Sequence, residues 1–156
     1  MFPGPDNPPP PPEKWFRRNP ERVLLEKAVM AKSFPQFELI LLADDFLRWF
    51  GPLETNRGNV YRLEVRYPDE FPDKAPQVYP LNPVIEAFMP GTNRYKHQYP
   101  DGHLCLYYPG DKTFSPKTTA AAVVAVAAAW FFSYETWLES GCTYWPGQEA
   151  PDIPLV

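Results

Sequence analysis

The sequence predicts an α+β domain with an N-terminal helix, an antiparallel meander sheet, a long loop and a central C-terminal helix. Three observations lead there. Residues 60–67 (VYRLEVRY) set Val60, Arg62, Glu64 and Arg66 against Tyr61, Leu63, Val65 and Tyr67, the period-two pattern of a half-buried strand. Residues 118–139 are rich in alanine and repeat Val123, Val126, Ala127, Trp130 and Tyr134 at helical spacing. Helix and strand patterns come in blocks rather than alternating, which favours separate layers over a parallel doubly wound sheet.

The elements follow in chain order. Residues 1–14 read as a proline-rich tail, and 15–156 as a single domain. Pro8 to Pro12 are consecutive, and such a run adopts extended polyproline II and buries little. It is either a loose tail or a ligand for an aromatic-lined groove. Asn19-Pro20-Glu21 opens the first helix: Asn19 suits the cap, Pro20 the first turn and Glu21 the positive end of the dipole. Val23, Leu24, Ala28 and Ala31 are its expected apolar face, and Pro35 ends it. Residues 36–50 (QFELILLADDFLRWF) hold one or two strands. Gly51-Pro52 reads as a turn, the polar stretch Glu54 to Asn59 as a loop, and Gln77 to Leu81 as a short strand.

Between the last two strands lies Tyr67-Pro68-Asp69-Glu70-Phe71-Pro72-Asp73-Lys74-Ala75-Pro76. Proline donates nothing to a ladder, so this segment is expected to be a rigid, extended connector with aromatic anchors. Residues 82–116 carry only short strand-like pieces. Long irregular segments in compact domains are often functional. Gly141 is placed to cap the second helix at its C-terminus. Trp15 and Phe16 are candidates for an exposed docking surface, whereas Phe114 and Trp145 read as packing residues.

Composition narrows the function. The 156 residues carry 15 basic and 19 acidic side chains, a net charge of −4, which argues against a phosphate-backbone binder. The N-terminus has neither the basic nor the apolar region of a signal peptide. The longest uncharged stretch, Thr118 to Tyr134, falls short of the ~20 apolar residues of a membrane span. A cytoplasmic protein with reduced thiols is expected. Nothing points to a cofactor, and there is no glycine-rich phosphate loop or carboxylate cluster.

Both histidines and one of the two cysteines fall within His97-Gln98-Tyr99-Pro100-Asp101-Gly102-His103-Leu104-Cys105-Leu106. Asp101-Gly102 is a turn signal. If the chain is extended after it, His103 and Cys105 share one side. A cysteine between two leucines also fits a small core residue. The spacing matches no zinc pattern and lacks the deaminase signature, and a cysteine-protease arrangement stays open. Cys142, past the second helix, reads as structural.

The order of these motifs resembles the ubiquitin-conjugating enzyme family. Trp49-Phe50-Gly51-Pro52 and the strand after it resemble that family's Gly-Pro turn and following strand. Pro68-Asp-Glu-Phe71-Pro72-Asp-Lys-Ala-Pro76 is similar to its Pro-x-x-Tyr-Pro-x-x-x-Pro connector. His97, Gly102 and Cys105-Leu106 follow the order of its His-Pro-Asn motif, glycine loop and catalytic Cys-Leu, and Phe114-Ser115-Pro116 its aromatic-Ser-Pro step. The likeness covers about residues 20–140. The chain departs at Gln98-Tyr99-Pro100, where Pro-Asn is expected, so the family's oxyanion-stabilising Asn has no matched residue. The ending and the HxYxDGxLCLY stretch look most like the stand-alone bacterial conjugating enzymes of short type II CBASS antiphage operons.

The resemblance implies that Cys105 forms a thioester with the C-terminus of a partner, a cGAS-like nucleotidyltransferase, and passes it to an amine. His103 or His97 would supply positive charge to the thiolate or hold a water, and Asp101 would orient or deprotonate the amine. His97 would otherwise brace the loop, as the family's motif histidine does. Oxyanion donors would come from the Gly102 turn, Tyr99 or a histidine. Two other readings stay open: a non-enzymatic binding module on the same fold, and a small thiol hydrolase.

Overall fold

Asn19 starts the first long helix as its side chain allows. Its Oδ1 accepts a hydrogen bond from the Arg22 amide at 3.1 Å, Pro20 fills the first turn, and α2 runs Pro20–Ser33. A four-residue helix, α1 (Trp15–Arg18), precedes it. The computed structural model describes residues 7–87, 94–107, 112–147 and 153–154.

The face that α2 buries is not the expected stripe. Glu26 and Met30 are buried, Val23 and Val29 half-buried, and Leu24 is 65 % exposed. A pattern reading sends a glutamate outward. Here Glu26 finds internal partners, and the helix turns to bury it. Trp15 is likewise not an exposed docking residue. It is 4 % exposed and packs on Tyr67 and Phe71, at ring-centroid distances of 4.9 and 4.6 Å. Residues 7–13 ahead of it are exposed.

Four strands form the antiparallel meander: β1 (Glu38–Leu41), β2 (Leu47–Glu54), β3 (Val60–Arg66) and β4 (Gln77–Asn82), in the spatial order β1-β2-β3-β4. The alternation on β3 holds for its inner face, where Tyr61, Leu63 and Val65 are buried, but Glu64 on the other face is buried too, paired with Arg48 at 2.9 Å. Gly51 and Pro52 do not turn; they continue β2, opposite Leu63 and Arg62. The hairpin bonds join Thr55 N to Asn59 O and Tyr67 N to Leu47 O. By the antiparallel alternation, the missing N–H of Pro52 then faces away from β3. On that side β1 has already ended, at Glu38 opposite Phe50, and Gln36 Nε2 donates to Pro52 O at 3.2 Å. The proline therefore costs no ladder bond. At Gly51 a Cβ would meet the Phe37 ring at 2.7 Å, so only glycine admits that ring.

The connector Tyr67 to Pro76 folds as consecutive turns rather than an extended rod. Phe71 N, Asp73 N and Lys74 N bond back to Pro68 O and Glu70 O, which satisfies the amides that its prolines keep out of a ladder. Its aromatic anchors are as expected, with Tyr67 and Phe71 fully buried.

The last long helix, α3, spans Ala120–Glu139. Thr119 caps it through the Ala122 amide at 3.2 Å. Gly141, at φ +71°, takes the left-handed position after Ser140. Val123, Ala127, Trp130 and Tyr134 are buried as expected, joined by Val124, Phe131 and Trp137. Tyr61 of β3 stacks on Phe131 at 4.2 Å, so the inner face of the sheet lies on this helix. The helix has 20 residues, and an 18-residue window of it has a mean hydropathy of 1.4. By length and composition it could cross a membrane, contrary to expectation. Half of that window is buried inside the fold, as in the core helix of a domain. A two-residue strand β5 (Arg94–Tyr95) pairs with β6 (Ile153–Pro154). The sequence also marks a turn at Tyr107-Tyr108-Pro109-Gly110, of which only Tyr107 is among the described residues.

One polar node joins these layers. Glu26 Oε1 accepts from the Tyr67 hydroxyl at 2.7 Å and from the Ala120 amide at 2.8 Å. Its Oε2 faces Arg22 Nε at 3.3 Å. Arg22 donates onward to the Pro116 and Thr118 carbonyls, and Trp49 Nε1 donates to the Tyr67 hydroxyl at 2.8 Å. Burial, and then the Glu26 charge, push the Tyr67 phenol well above its ordinary range, so it stays a donor.

Glu26→Ala leaves a hydroxyl, an amide and a guanidinium short of an acceptor and is expected to cost about 3 kcal/mol; a urea midpoint with the Glu26→Gln variant alongside, expected to lose less, checks it. Gly51→Ala forces a methyl into the Phe37 ring and is expected to cost about 1–3 kcal/mol in the same titration.

Candidate functional site

The segment after β5 is braced against the chain that follows β4 by one side chain that carries no charge. Gln98 is 1 % exposed. Its Oε1 accepts from the Ala87 amide at 2.7 Å, and its Nε2 donates to Ile85 O and Gly102 O, each at 3.0 Å. A buried amide so placed satisfies three backbone groups that would otherwise lose water. Leu104 N bonds to Val78 O at 2.9 Å and ties the segment to β4. Gln98 and Leu104 form an antiparallel bridge.

Between them the chain reverses. Gly102 N donates to Tyr99 O and Tyr99 N to His103 O, both at 2.9 Å. Gly102 has φ +99°, which favours glycine. The Asp101-Gly102 turn signal is thus realised. Asp101 Oδ1 also accepts from the His103 amide at 3.1 Å, an Asx turn.

Past the turn Leu104 is buried while His103 and Cys105 are half-buried. By this alternation His103 and Cys105 share one side of the chain, as expected. His97 lies elsewhere. It is 3 % exposed and its ring packs on Trp145 at 4.6 Å. Its carbonyl accepts from Cys105 N at 2.9 Å and from Trp130 Nε1 at 2.8 Å. It ties the cysteine's backbone to α3. Trp145 also meets Trp130 at 5.3 Å and Trp137 at 6.0 Å, and packs as the sequence suggests.

On the other side of the cysteine the groups are coupled. Asp101 Oδ1 lies 2.5 Å from His103 Nδ1, and Oδ2 accepts from the Tyr79 hydroxyl of β4 at 3.3 Å. Partial burial works against the charged Asp101, but the His103 amide and ring outweigh it and hold the carboxyl below its ordinary range. The His103 ring stacks on Tyr99 at 4.1 Å and 11°. The Tyr99 phenol is pushed up by burial first and then by the Cys105 charge, to which it is hydrogen-bonded. It is therefore a protonated donor beside the sulfur. A groove of about 180 Å³ runs along this side, between Ala75–Gln77 and the Tyr99, His103 and Tyr107 side chains. Among the described residues no three His, Cys, Asp or Glu side chains are grouped to hold a metal ion.

A known family's sequence profile, that of the type II CBASS E2 protein, matches residues 26–152. The chain belongs to the type II CBASS E2 family. The α+β fold described above, with its N-terminal helices, four-stranded meander and C-terminal helix, is consistent with an E2-like domain. Membership connects this E2-like chain to antiviral defence and to the other CBASS components. No match is found among curated proteins.

Two residues of this E2-like site were not among the expected catalytic set. Gln98 holds the loop from inside, and no periodicity marks a residue that acts through three backbone contacts. Tyr99 is one of several expected oxyanion candidates, and its phenol is hydrogen-bonded to Cys105. Its spacing from the cysteine could not single it out, because the turn that brings it there is a matter of register.

Cys142 packs against the core cluster, and its amide bonds to Trp137 O at 2.9 Å. Cys105, half-buried beside a phenolic donor, is expected to react first with a limiting maleimide; peptide mapping after a short exposure checks the order.

Proposed function

We propose that this chain is a thioester-forming transferase: Cys105 takes the C-terminal carboxyl of a cGAS-like nucleotidyltransferase and passes it to an amine, priming or regulating cyclic-oligonucleotide signalling. The observation that carries this reading is the half-buried Cys105 hydrogen-bonded to Tyr99 on a loop braced from behind, in a chain of the type II CBASS E2 family. Covalent acyl transfer needs an exchangeable thiolate and a donor for the charge that develops on the carbonyl oxygen. Tyr99 is the side chain assigned to that second task, in the absence of the usual asparagine. His97 serves through its main chain, by fixing Cys105 N.

The test is an adduct. The chain is purified after co-expression with a cGAS-like nucleotidyltransferase encoded beside it and run on a gel with and without added thiol. A thiol-sensitive band is expected, absent in Cys105→Ala and thiol-resistant in Cys105→Ser, where the link becomes an ester. Co-purification of the two proteins with no adduct in any sample would favour a binding module on the same fold.

A further inference from the structure

We propose that His103 is the general base of the acyl transfer, accepting the proton of the attacking amine, with Asp101 as its positioning residue. This deepens the reading above and rests on a thioester at Cys105. Three observations carry it.

The first is the tautomer. Asp101 is ionised, so at 2.5 Å its Oδ1 can only accept. The proton between the two groups belongs to His103 Nδ1, and in the neutral ring Nε2 keeps its lone pair. Asp101 is itself held by the His103 amide and the Tyr79 hydroxyl, and Tyr79 lies under Arg66 at 4.7 Å. The imidazole is therefore fixed through a chain of contacts that reaches the sheet.

The second is position. His103 and Cys105 stand on the same side of the strand, with Leu104 buried behind them. The ring that stacks on His103 is the one whose hydroxyl meets the thiol. One tyrosine spans the distance from base to sulfur. The third is access. A groove of about 180 Å³ runs along His103, with Pro76, Gln77, Tyr99 and Tyr107 among its walls, and gives an amine a way to the ring.

The step balances. The amine nitrogen attacks the thioester carbonyl while Tyr99 donates to the oxygen. The nitrogen's proton passes to His103 Nε2. The C–N bond forms, the C–S bond breaks, and Cys105 leaves as thiolate. Products are an amide, a thiolate and an imidazolium, which returns its proton to solvent.

The test loads Cys105 chemically, in a Cys142→Ser background, by exchange with a small-molecule thioester of a glycine-terminated peptide. Loss of the adduct to added butylamine is followed by whole-protein mass spectrometry, with rates taken per loaded molecule. His103→Gln is expected to discharge ~10²-fold more slowly than the parent, with Asp101→Asn in between. His103→Gly is expected to recover on addition of free imidazole, which a purely structural histidine would not allow. Discharge of His103→Gln within about twofold of the parent, where ~10²-fold is expected, would overturn the proposal, as would a slow His103→Gly that imidazole does not restore. Failure of the parent itself to load at Cys105 would overturn the thioester reading and this one together.

Discussion

The fold depends on a buried carboxylate. Glu26 is 2 % exposed, and the groups bonded to it belong to separate layers: Arg22 to the same helix, Tyr67 to the end of the sheet, and the Ala120 amide to the start of α3. A glutamate in such a place is unfavourable unless each oxygen is satisfied. That demand fixes the rotation of α2, the entry angle of α3 and the depth of Tyr67 at once. The aromatic cluster of Trp15, Tyr67 and Phe71 then closes over the node, and Arg22 lies against the Phe71 ring at 4.9 Å. Hydrophobic burial supplies most of the driving force for such a core. The node selects one arrangement of its layers.

The loop bearing Cys105 obeys the same rule on a smaller scale. It has little regular structure, so its backbone groups need other partners. Gln98 serves three of them, His97 O takes the Cys105 amide, and Val78 O takes that of Leu104. Asp101, His103, Tyr99 and Cys105 lie on the other side of the loop, where Asp101 and Tyr99 also hold the turn itself. The two histidines look equivalent in the sequence, yet one is buried on Trp145 and the other is half-buried against Tyr99 and Asp101. The difference comes from parity on either side of the turn and from the tryptophans of the C-terminal half.

A further ionic cluster on the outer face of the sheet reaches toward the same place. Arg48 is buried between Glu64 and Asp44, and Glu64 also takes Arg66. The hydrogen bond from Arg48, with its charge, holds the Asp44 carboxyl well below its ordinary range against the opposing effect of desolvation. Arg66 in turn covers the Tyr79 ring. The position of Asp101 therefore rests on the sheet as well as on its own turn. At the opposite end, the β2–β3 hairpin is clamped to α3, where Asn59 and Tyr61 donate to Glu135 and Arg57 pairs with Glu139.

Much of this protein was determined by local sequence. Period-two alternation placed β3, alanine and aromatic spacing placed α3, Asn19-Pro20 and Gly141 marked helix ends, and the run of residues 97–106 marked the candidate site. These signals are local because they arise from backbone sterics and from side chains within a turn of one another. Tertiary structure alone decided that Glu26 points inward, that Pro52 continues a strand because its neighbour has ended, that Trp15 is core, and that the Tyr99 hydroxyl meets Cys105. Each of those outcomes depends on partners about 15 to 95 positions away, or on the register of a reversal, and a single chain read in windows carries no record of which distant acceptor a buried donor will find.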